Sequence, residues 1–278
     1  MNWKRIRQIV FYAFASLVLF VAFLYWRFPS DLFREIIAAR VADLSPGTSV
    51  TVERVKPGFP PGLRLEKALL WFDDRMEAHF RVETTELRPD LGKLFSGLIQ
   101  VDGDLRAYGG MGQGTFKQEG LPGRKGPIHV NLKFDHLALQ EIAYLRHTLG
   151  RTVTGKLKGT LTYNRSGKAP GAGRLDFRVA NGVYPLLENT FGLDRIDFRE
   201  IDGQLAWNEK TLKVERIYMT GEKARIVLKG EVFVNIEDLN ASGLNLTANV
   251  ELPFMNNAKG ILTITGTVFA PVVAFKMG

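Results

Sequence analysis

The chain has 278 residues, of which 45% are hydrophobic and 24% charged, and its formal net charge at pH 7 is +8. This composition is that of a folded protein and excludes a disordered one, and the absence of cysteine excludes disulfides, thiolate metal sites and thiol nucleophiles. Residues 1–30 carry four bases and no acid, which is half of the excess charge, while the other 33 bases face 29 acids. No basic stripe remains that would indicate nucleic-acid binding.

The first predicted element is a membrane anchor. Ile9 to Trp26 is a run of eighteen residues without a charge, about the minimum for a helix that crosses ~30 Å of hydrocarbon. Three bases precede the run, so the positive-inside rule places the N-terminus in the cytoplasm. A cleaved signal peptide is the alternative, but it would have a shorter apolar core and a small-residue cleavage site after it. We therefore expect residues 1–28 to be a cytoplasmic tail and an uncleaved transmembrane anchor. The predicted anchor residues are Ile9, Phe11, Leu17, Leu19, Phe20, Leu24 and Trp26.

The second predicted element is a juxtamembrane helix over residues 29–46. Apolar residues recur there at three- and four-residue steps, Ser30 is a suitable N-cap, and Pro46-Gly47 predicts the end. Two interpretations stay open for this helix. It packs on the end of the following domain, or it lies at the membrane surface.

Residues 47–278 are predicted to form one β domain. Apolar residues alternate with polar ones over ten or more short runs, which indicates strands with one dry and one wet face. Glycine-led turns between the runs favour an antiparallel meander. A phase shift at Glu215-Arg216 predicts a β-bulge. The glycines of segment 109–114 predict a hairpin turn rather than a phosphate loop, because no helix pattern follows them.

Few helices are available to cover the apolar side of these strands. The patterns predict single turns at 91–95 and 186–191, and a helix over 137–149 that Gly150 ends. Leaving several hundred Å² of apolar surface in water would cost on the order of ten kcal/mol. The predicted fold is therefore mainly β, with a transmembrane helix followed by a curved, folded-over antiparallel sheet that forms a trough or a sandwich. If the sheet stays open, it forms an apolar groove for a ligand. The groove residues predicted from the alternation are Leu161, Leu175, Phe177, Ile226, Leu228, Val232, Val234, Leu246, Val250 and Ile264.

No catalytic, cofactor-binding or metal-binding residues are predicted. The four histidines have no metal-binding spacing, and the chain contains neither a nucleophile elbow nor a nucleotide-binding P-loop. The sequence therefore does not favour an enzyme.

The order of the motifs resembles a known family. After the anchor come ARVADLSPGTSVTVERV, PPGLRLEKALLWF and ELRPDLGKLFSGLIQVDGDLRAYGGMGQGTF, and later GRTVTGKLKGTLTYN, GAGRLDFRVANGVY and IDGQLAWNEKTLKVERIYMTGEKARIVLKGEVFVN. This pattern resembles the type II secretion system protein N of delta-proteobacteria and their relatives, and more distantly the AsmA-like periplasmic proteins. The resemblance spans most of residues 1–270. It is carried by glycines, leucines and alternation, with no catalytic signature.

The resemblance implies a single-pass protein of the bacterial inner membrane with most of its chain in the periplasm. It would be an accessory part of the machine that exports folded proteins across the outer membrane, with other secretion proteins as partners. An exposed edge strand or apolar patch would then bind the partner. The AsmA-like resemblance implies an alternative, a lipid-binding or lipid-transfer module whose trough holds phospholipid.

Overall fold

A computed structural model describes residues 3–44, 48–58, 61–71, 79–120, 126–167, 170–190, 193–208, 210–235 and 241–277. Four α-helices lie in this part of the chain: α1 Trp3–Trp26, α2 Ser30–Leu44, α3 Leu91–Phe95 and α4 Ala143–Leu149. The strands are β1 Ser49–Gly58, β2 Gly62–Trp71, β3 His79–Pro89, β4 Leu98–Ala107, β5 Gly110–Glu119, β6 Ile128–Ala138, β7 Lys156–Arg165, β8 Ala172–Thr190, β9 Leu193–Asn208, β10 Thr211–Thr220, β11 Arg225–Phe233, β12 Gly243–Leu252, β13 Ala258–Thr267 and β14 Pro271–Met277.

The fourteen strands of the described chain form one antiparallel sheet in strict sequence order, from β1 at one edge to β14 at the other. The prediction of a mainly β fold built as an antiparallel meander is confirmed. The sheet is open, since its edge strands do not pair with each other, and it is one continuous sheet rather than the two sheets of a sandwich. We call the row of strand ends that includes Gly58 the α1 margin, and the opposite row the plug margin.

Local sequence signals explain how the strands are joined. The β4–β5 hairpin turns at Tyr108 and Gly109, whose φ angles are 53° and 68°, as the tight hairpin turn with two positive φ values requires. The predicted hairpin is therefore present, but the later glycines of that segment lie inside β5. The predicted bulge is confirmed, because the register of β10 shifts between Val214 and Ile217.

The helix predicted over 137–149 is only partly present, and the helical turn predicted at 186–191 is wrong for the described residues. Segment 137–149 begins as the end of β6, where the Ala138 N–H donates to the Tyr108 carbonyl at 2.9 Å. A 3-10 turn follows at Leu139–Glu141, and only Ala143–Leu149 is α-helical. Gly150 ends that helix with a φ of 64°, as predicted. Residues 186–190 belong to β8 rather than to a helical turn, because the long β8–β9 hairpin pairs across them, and residue 191 lies outside the described part.

Helix α2 covers the β1 end of the sheet. Phe33 and Ile37 pack with the buried side chains of Val52, Val55 and Leu65. The Phe28 ring stacks on Phe33 with 4.9 Å between ring centroids. Of the two interpretations of this helix, packing on the β domain is the one that the contacts support.

The segment 139–155, which we call the plug, fills the plug margin between β6 and β7. The Thr154 N–H donates to the Val183 carbonyl at 3.1 Å, so the plug extends the hydrogen bonding of β8. Its buried Leu139 and Ile142 belong to a core cluster with Val179, Phe198 and Met219. This cluster and the smaller one under α2 are the two buried apolar cores of the described residues.

Candidate functional site

One face of the sheet is apolar from edge to edge. Following the cross-strand register gives one residue per strand, and none of the fourteen has a polar side chain. The row is Pro57, Leu63, Leu87, Gly103, Gly114, Leu132, Leu161, Leu175, Leu205, Val214, Gly230, Leu246, Ile264 and Val273. We call the face that carries this row the apolar face. The neighbouring row points to the other side of the sheet because side chains alternate along a strand.

The opposite face is polar over the first ten strands. The adjacent register row over the first ten strands consists of Lys56, Arg64, Glu86, Asp104, Gln113, Lys133, Thr160, Asp176, Gln204 and Arg216. The contrast between two adjacent rows is what a sheet with one dry and one wet side requires. The sheet therefore has one apolar side, although the described chain supplies no second sheet to pack against that side.

The predicted groove residues lie together on the apolar face. Four of them, Leu161, Leu175, Leu246 and Ile264, are members of the apolar row itself. Phe177 and Leu228 lie two residues from the row, on the side of the plug margin, and the pair Ile226–Val250 lies two residues beyond Leu228 in the same direction. Val232 pairs with Leu244 on the other side of the row. Val234 follows the last residue of β11, and its N–H donates to the Lys210 carbonyl at 2.8 Å.

Several residues of this face were not predicted from the sequence. Val273 and the rest of β14 were missed because PVVAFKM is apolar at successive positions and shows no alternation. Leu63, Leu87, Leu132, Leu205 and Val214 alternate in the same way as the predicted residues, so their pattern was visible, but only the strand register shows that they form one row.

Large side chains lie flat over glycines on this face. The ring of Phe177 covers Gly203, and the ring of Trp207 covers Gly173. The Phe134 ring covers Gly159, where a Cβ would come within 2.8 Å of the ring Cζ atom. Leu132 covers Gly114 in the same manner, with its Cδ1 3.3 Å from the Cβ position. The glycines thus let neighbouring side chains lie along the sheet, which gives a level apolar floor.

The floor is covered at two places only among the described residues, by α2 and by the plug. Between them the members of the apolar row are mostly half-buried, and no large side chain of the described part is completely buried. The core of an ordinary domain of this size holds many such side chains. The middle of the apolar face is therefore left uncovered by the described residues.

The two edges of the sheet differ. The β1 edge has α2 packed against it, whereas no described element covers the β14 edge. Val272 and Val273, on opposite faces of β14, are 60% and 57% exposed. A strand that is apolar on both faces is typical of the interior of a sheet. Because β14 instead lies at an edge, with no described element beside it, we call it an unprotected edge.

The polar face carries charge pairs. Arg178 Nε lies 2.6 Å from Asp202 Oδ1 and 2.5 Å from Glu200 Oε1, and these carboxylates raise the pKa of the Arg178 guanidinium. The Thr115 hydroxyl donates to Asp102 Oδ1 at 2.7 Å, and this bond lowers the pKa of the Asp102 carboxyl. A depression of about 600 Å³ on this face is lined by charges of both signs, among them Lys158, Asp176 and Arg178. These paired charges are typical of a solvated sheet surface.

No reactive constellation was found in the described residues. No group of three or more histidine and acidic side chains could hold a metal ion there. His129 bonds to the Asn164 side-chain oxygen at 2.7 Å, and His136 lies 2.8 Å from Asp135, both on exposed strand surfaces.

All seven predicted anchor residues belong to α1. Phe11, Leu19, Phe20 and Trp26 are exposed, and the side chains of Ile9, Leu17 and Leu24 lie outside the described residues. A search of the described residues found no helix that combines the length and the hydropathy needed to span a membrane. The Tyr25 hydroxyl donates to the Gly58 carbonyl, which places the end of α1 at the α1 margin.

The fold and the site define a class: an open antiparallel β-meander with one continuous apolar face and one charged face. Comparisons with protein-family models, curated proteins and solved structures gave no match.

Proposed function

We propose that this protein is a membrane-anchored envelope protein whose sheet forms a trough that binds lipid acyl chains. The observation that carries the proposal is the apolar row, which crosses all fourteen described strands without one polar side chain. Acyl chains bind to apolar surface and form no hydrogen bonds, so a level floor of apolar side chains suits them. Covering about 400 Å² of such a surface stabilises a complex by roughly 10 kcal/mol before the costs of ordering the ligand.

The same proposal includes the location of the protein. Residues 9–26 would cross the bacterial inner membrane, and the sheet would lie in the periplasm. The uncharged run of eighteen residues and the three bases before it support this orientation. The exposed apolar side chains along α1 support it as well.

The test uses photo-crosslinking from two adjacent residues that point to opposite faces. Leu228 lies on the apolar face, and Lys229 points to the polar face. A benzophenone amino acid at 228 is expected to give phospholipid adducts in cells, detected by mass spectrometry of the purified protein, while the same probe at 229 is not. Lipid adducts at neither position, or at both equally, would reject the trough. Reproducible phospholipid after gentle detergent purification is a second expected result.

A second candidate function is an accessory role in the type II secretion system, through binding of other secretion proteins. The resemblance to type II secretion system protein N motivates it, and the unprotected β14 edge supports it because edge strands readily pair with another chain. The two functions are compatible in one chain, since the apolar floor and the β14 edge are different surfaces.

The second candidate has its own test. A crosslinker at Val272 is expected to capture a component of the secretion apparatus, and replacing Val272 with lysine is expected to reduce that capture and the secretion of substrate proteins. Lys276→Ala, in the same strand, serves as the matched control. Normal secretion in a strain that lacks the protein would refute this role and leave the lipid proposal untouched.

A further inference from the structure

We propose that α3 is a second contact with the membrane, and that Leu91, Leu94 and Phe95 enter the headgroup interface of the bilayer that α1 crosses. This inference rests on the anchor in the proposed function. It adds a surface that would fix how the trough is oriented on the membrane.

The first observation is exposure. Phe95 is 93% exposed and Trp26 is 90% exposed, the two highest values among the large apolar side chains of the described residues. Leu91 and Leu94 are also exposed, and α3 has no buried residue. An exposed apolar patch of this kind, made by a single short helical turn, indicates an interaction site.

The second observation is that α3 is a formed helical turn. The Asp90 carboxylate accepts from the Lys93 N–H at 3.2 Å, and the Ser96 hydroxyl donates to the Lys93 carbonyl at 2.8 Å. Both ends are therefore capped. The capped turn therefore presents three exposed apolar side chains at a connection between β3 and β4 that a polar loop could also have made.

The third observation is position. The hydrogen bond from Tyr25 to Gly58 puts the end of α1 at the β1–β2 turn, and α3 follows Pro89 on the same margin. Two strand spacings separate these turns, which is about 10 Å. Helix α1 has no extensive packing with a described strand, and its 24 residues correspond to a length of about 36 Å.

The chemistry of the patch selects a bilayer as its occupant. Aromatic rings such as Phe95 and Trp26 prefer the membrane–water boundary, which extends about 5–8 Å beyond the hydrocarbon on each side. Arg27 directly follows α1 and supplies a cation for lipid phosphates, whereas the Lys93 ammonium group of α3 already lies 3.6 Å from Asp90 and donates to Gln100 at 2.6 Å. The continuity with α1 and the charge of Arg27 both favour lipid over a protein partner.

The test uses the full chain and exploits its lack of cysteine. Single variants Phe95→Cys, Leu19→Cys and Phe254→Cys carry an environment-sensitive fluorophore, and the protein is reconstituted into vesicles of phosphatidylethanolamine and phosphatidylglycerol. Phe254 is the matched control, because it is an exposed phenylalanine in a short helical turn at the plug margin. Quenchers attached to lipid headgroups and to acyl chains then report the depth of each label.

We expect the label at 95 to be quenched by headgroup-attached quencher at least about twofold more than the label at 254. The label at 19 should be quenched from the acyl-chain region. A label at 19 in the hydrocarbon with labels at 95 and 254 equally in water would overturn the α3 contact and leave the anchor standing. A label at 19 in water would overturn the anchor and the α3 contact together. A photo-crosslinker at position 95 that gave adducts with protein alone would also overturn the α3 contact.

Discussion

Replacing Gly203 with alanine tests whether side chains really lie flat on the apolar face. A Cβ at position 203 would come within 3.0 Å of three atoms of the Phe177 ring, a separation that folded proteins do not show. Phe177 must then leave its place over the sheet, or the two strands must separate. Overpacking of this kind costs about 1–3 kcal/mol.

The chain offers a matched control for this substitution. Gly243 lies in a strand of the same sheet, but a Cβ there would be 3.7 Å from Phe233 Cβ, which is an ordinary contact. Alanine at 243 should therefore be neutral or stabilise the fold by up to about 0.5–1 kcal/mol, because it restricts the unfolded chain. The two substitutions are chemically identical, so their difference isolates the aromatic ring over the glycine.

Thermal unfolding of the full chain in detergent, followed by circular dichroism, measures the effect. For a chain of this size we expect Gly203→Ala to lower Tm by roughly 2–6 °C relative to Gly243→Ala. The double variant Gly203→Ala with Phe177→Leu should recover about 1 kcal/mol compared with the sum of the single changes, because the smaller side chain no longer opposes the methyl group. Equal Tm values for Gly203→Ala and Gly243→Ala would refute the flat floor.

Two further predictions concern the plug and the polar face. Ile142→Ala should lower the free energy of unfolding by about 2–4 kcal/mol, because Ile142 is buried in the larger core cluster, while Thr148→Ala, at an exposed position of the α4 helix that follows Ile142, should change it by less than about 0.5 kcal/mol; denaturant titration checks both. Thr115→Val should raise the pKa of Asp102 toward its ordinary value, since the hydroxyl bond is the largest cause of the lowering. A pKa that is lowered in the folded state stabilises the fold at pH values above the ordinary carboxyl pKa. This stabilisation is lost as the pH falls through the lowered pKa of the folded state. The variant lacks part of it and should therefore lose less stability on acidification. An NMR titration of the Asp102 carboxyl that is unchanged by the substitution would contradict this assignment.

The period of the apolar residues predicted most of the sheet, and the strand register explains why. Leu161 and Leu175 fall on the same face because they occupy equivalent phases of two alternating runs joined by a short turn. The failures have physical causes too. Residues 186–190 have a helix-like spacing, but the hairpin continues beyond the pair Pro185–Arg195 to the pair Thr190–Leu193, which keeps this segment in β8. In segment 137–149, the hydrogen bond from Ala138 to Tyr108 keeps the chain extended before the helix begins.

The details of the floor could not be predicted from the sequence. Phe177 and Gly203 are far apart in the chain, and only the pairing of β8 with β9 places one over the other. The exposure of α3 depends on what neighbouring elements leave uncovered. Local patterns determine which residues are apolar, whereas long-range pairing determines which of them meet.

The flat floor also explains how an open sheet can exist without a second layer. Side chains that stand upright need partners from above, but rings that lie over glycines take part of their burial from the strand beside them. Exposing the apolar face to water then costs less free energy than its composition suggests, and the face stays available to the proposed flexible ligand. Elsewhere the face is covered, since α2 buries a compact cluster at the β1 edge and the plug buries another at the plug margin. The proposed trough for acyl chains requires an unfilled middle of this kind, whereas a protein that served only as a scaffold would gain more stability by filling its core.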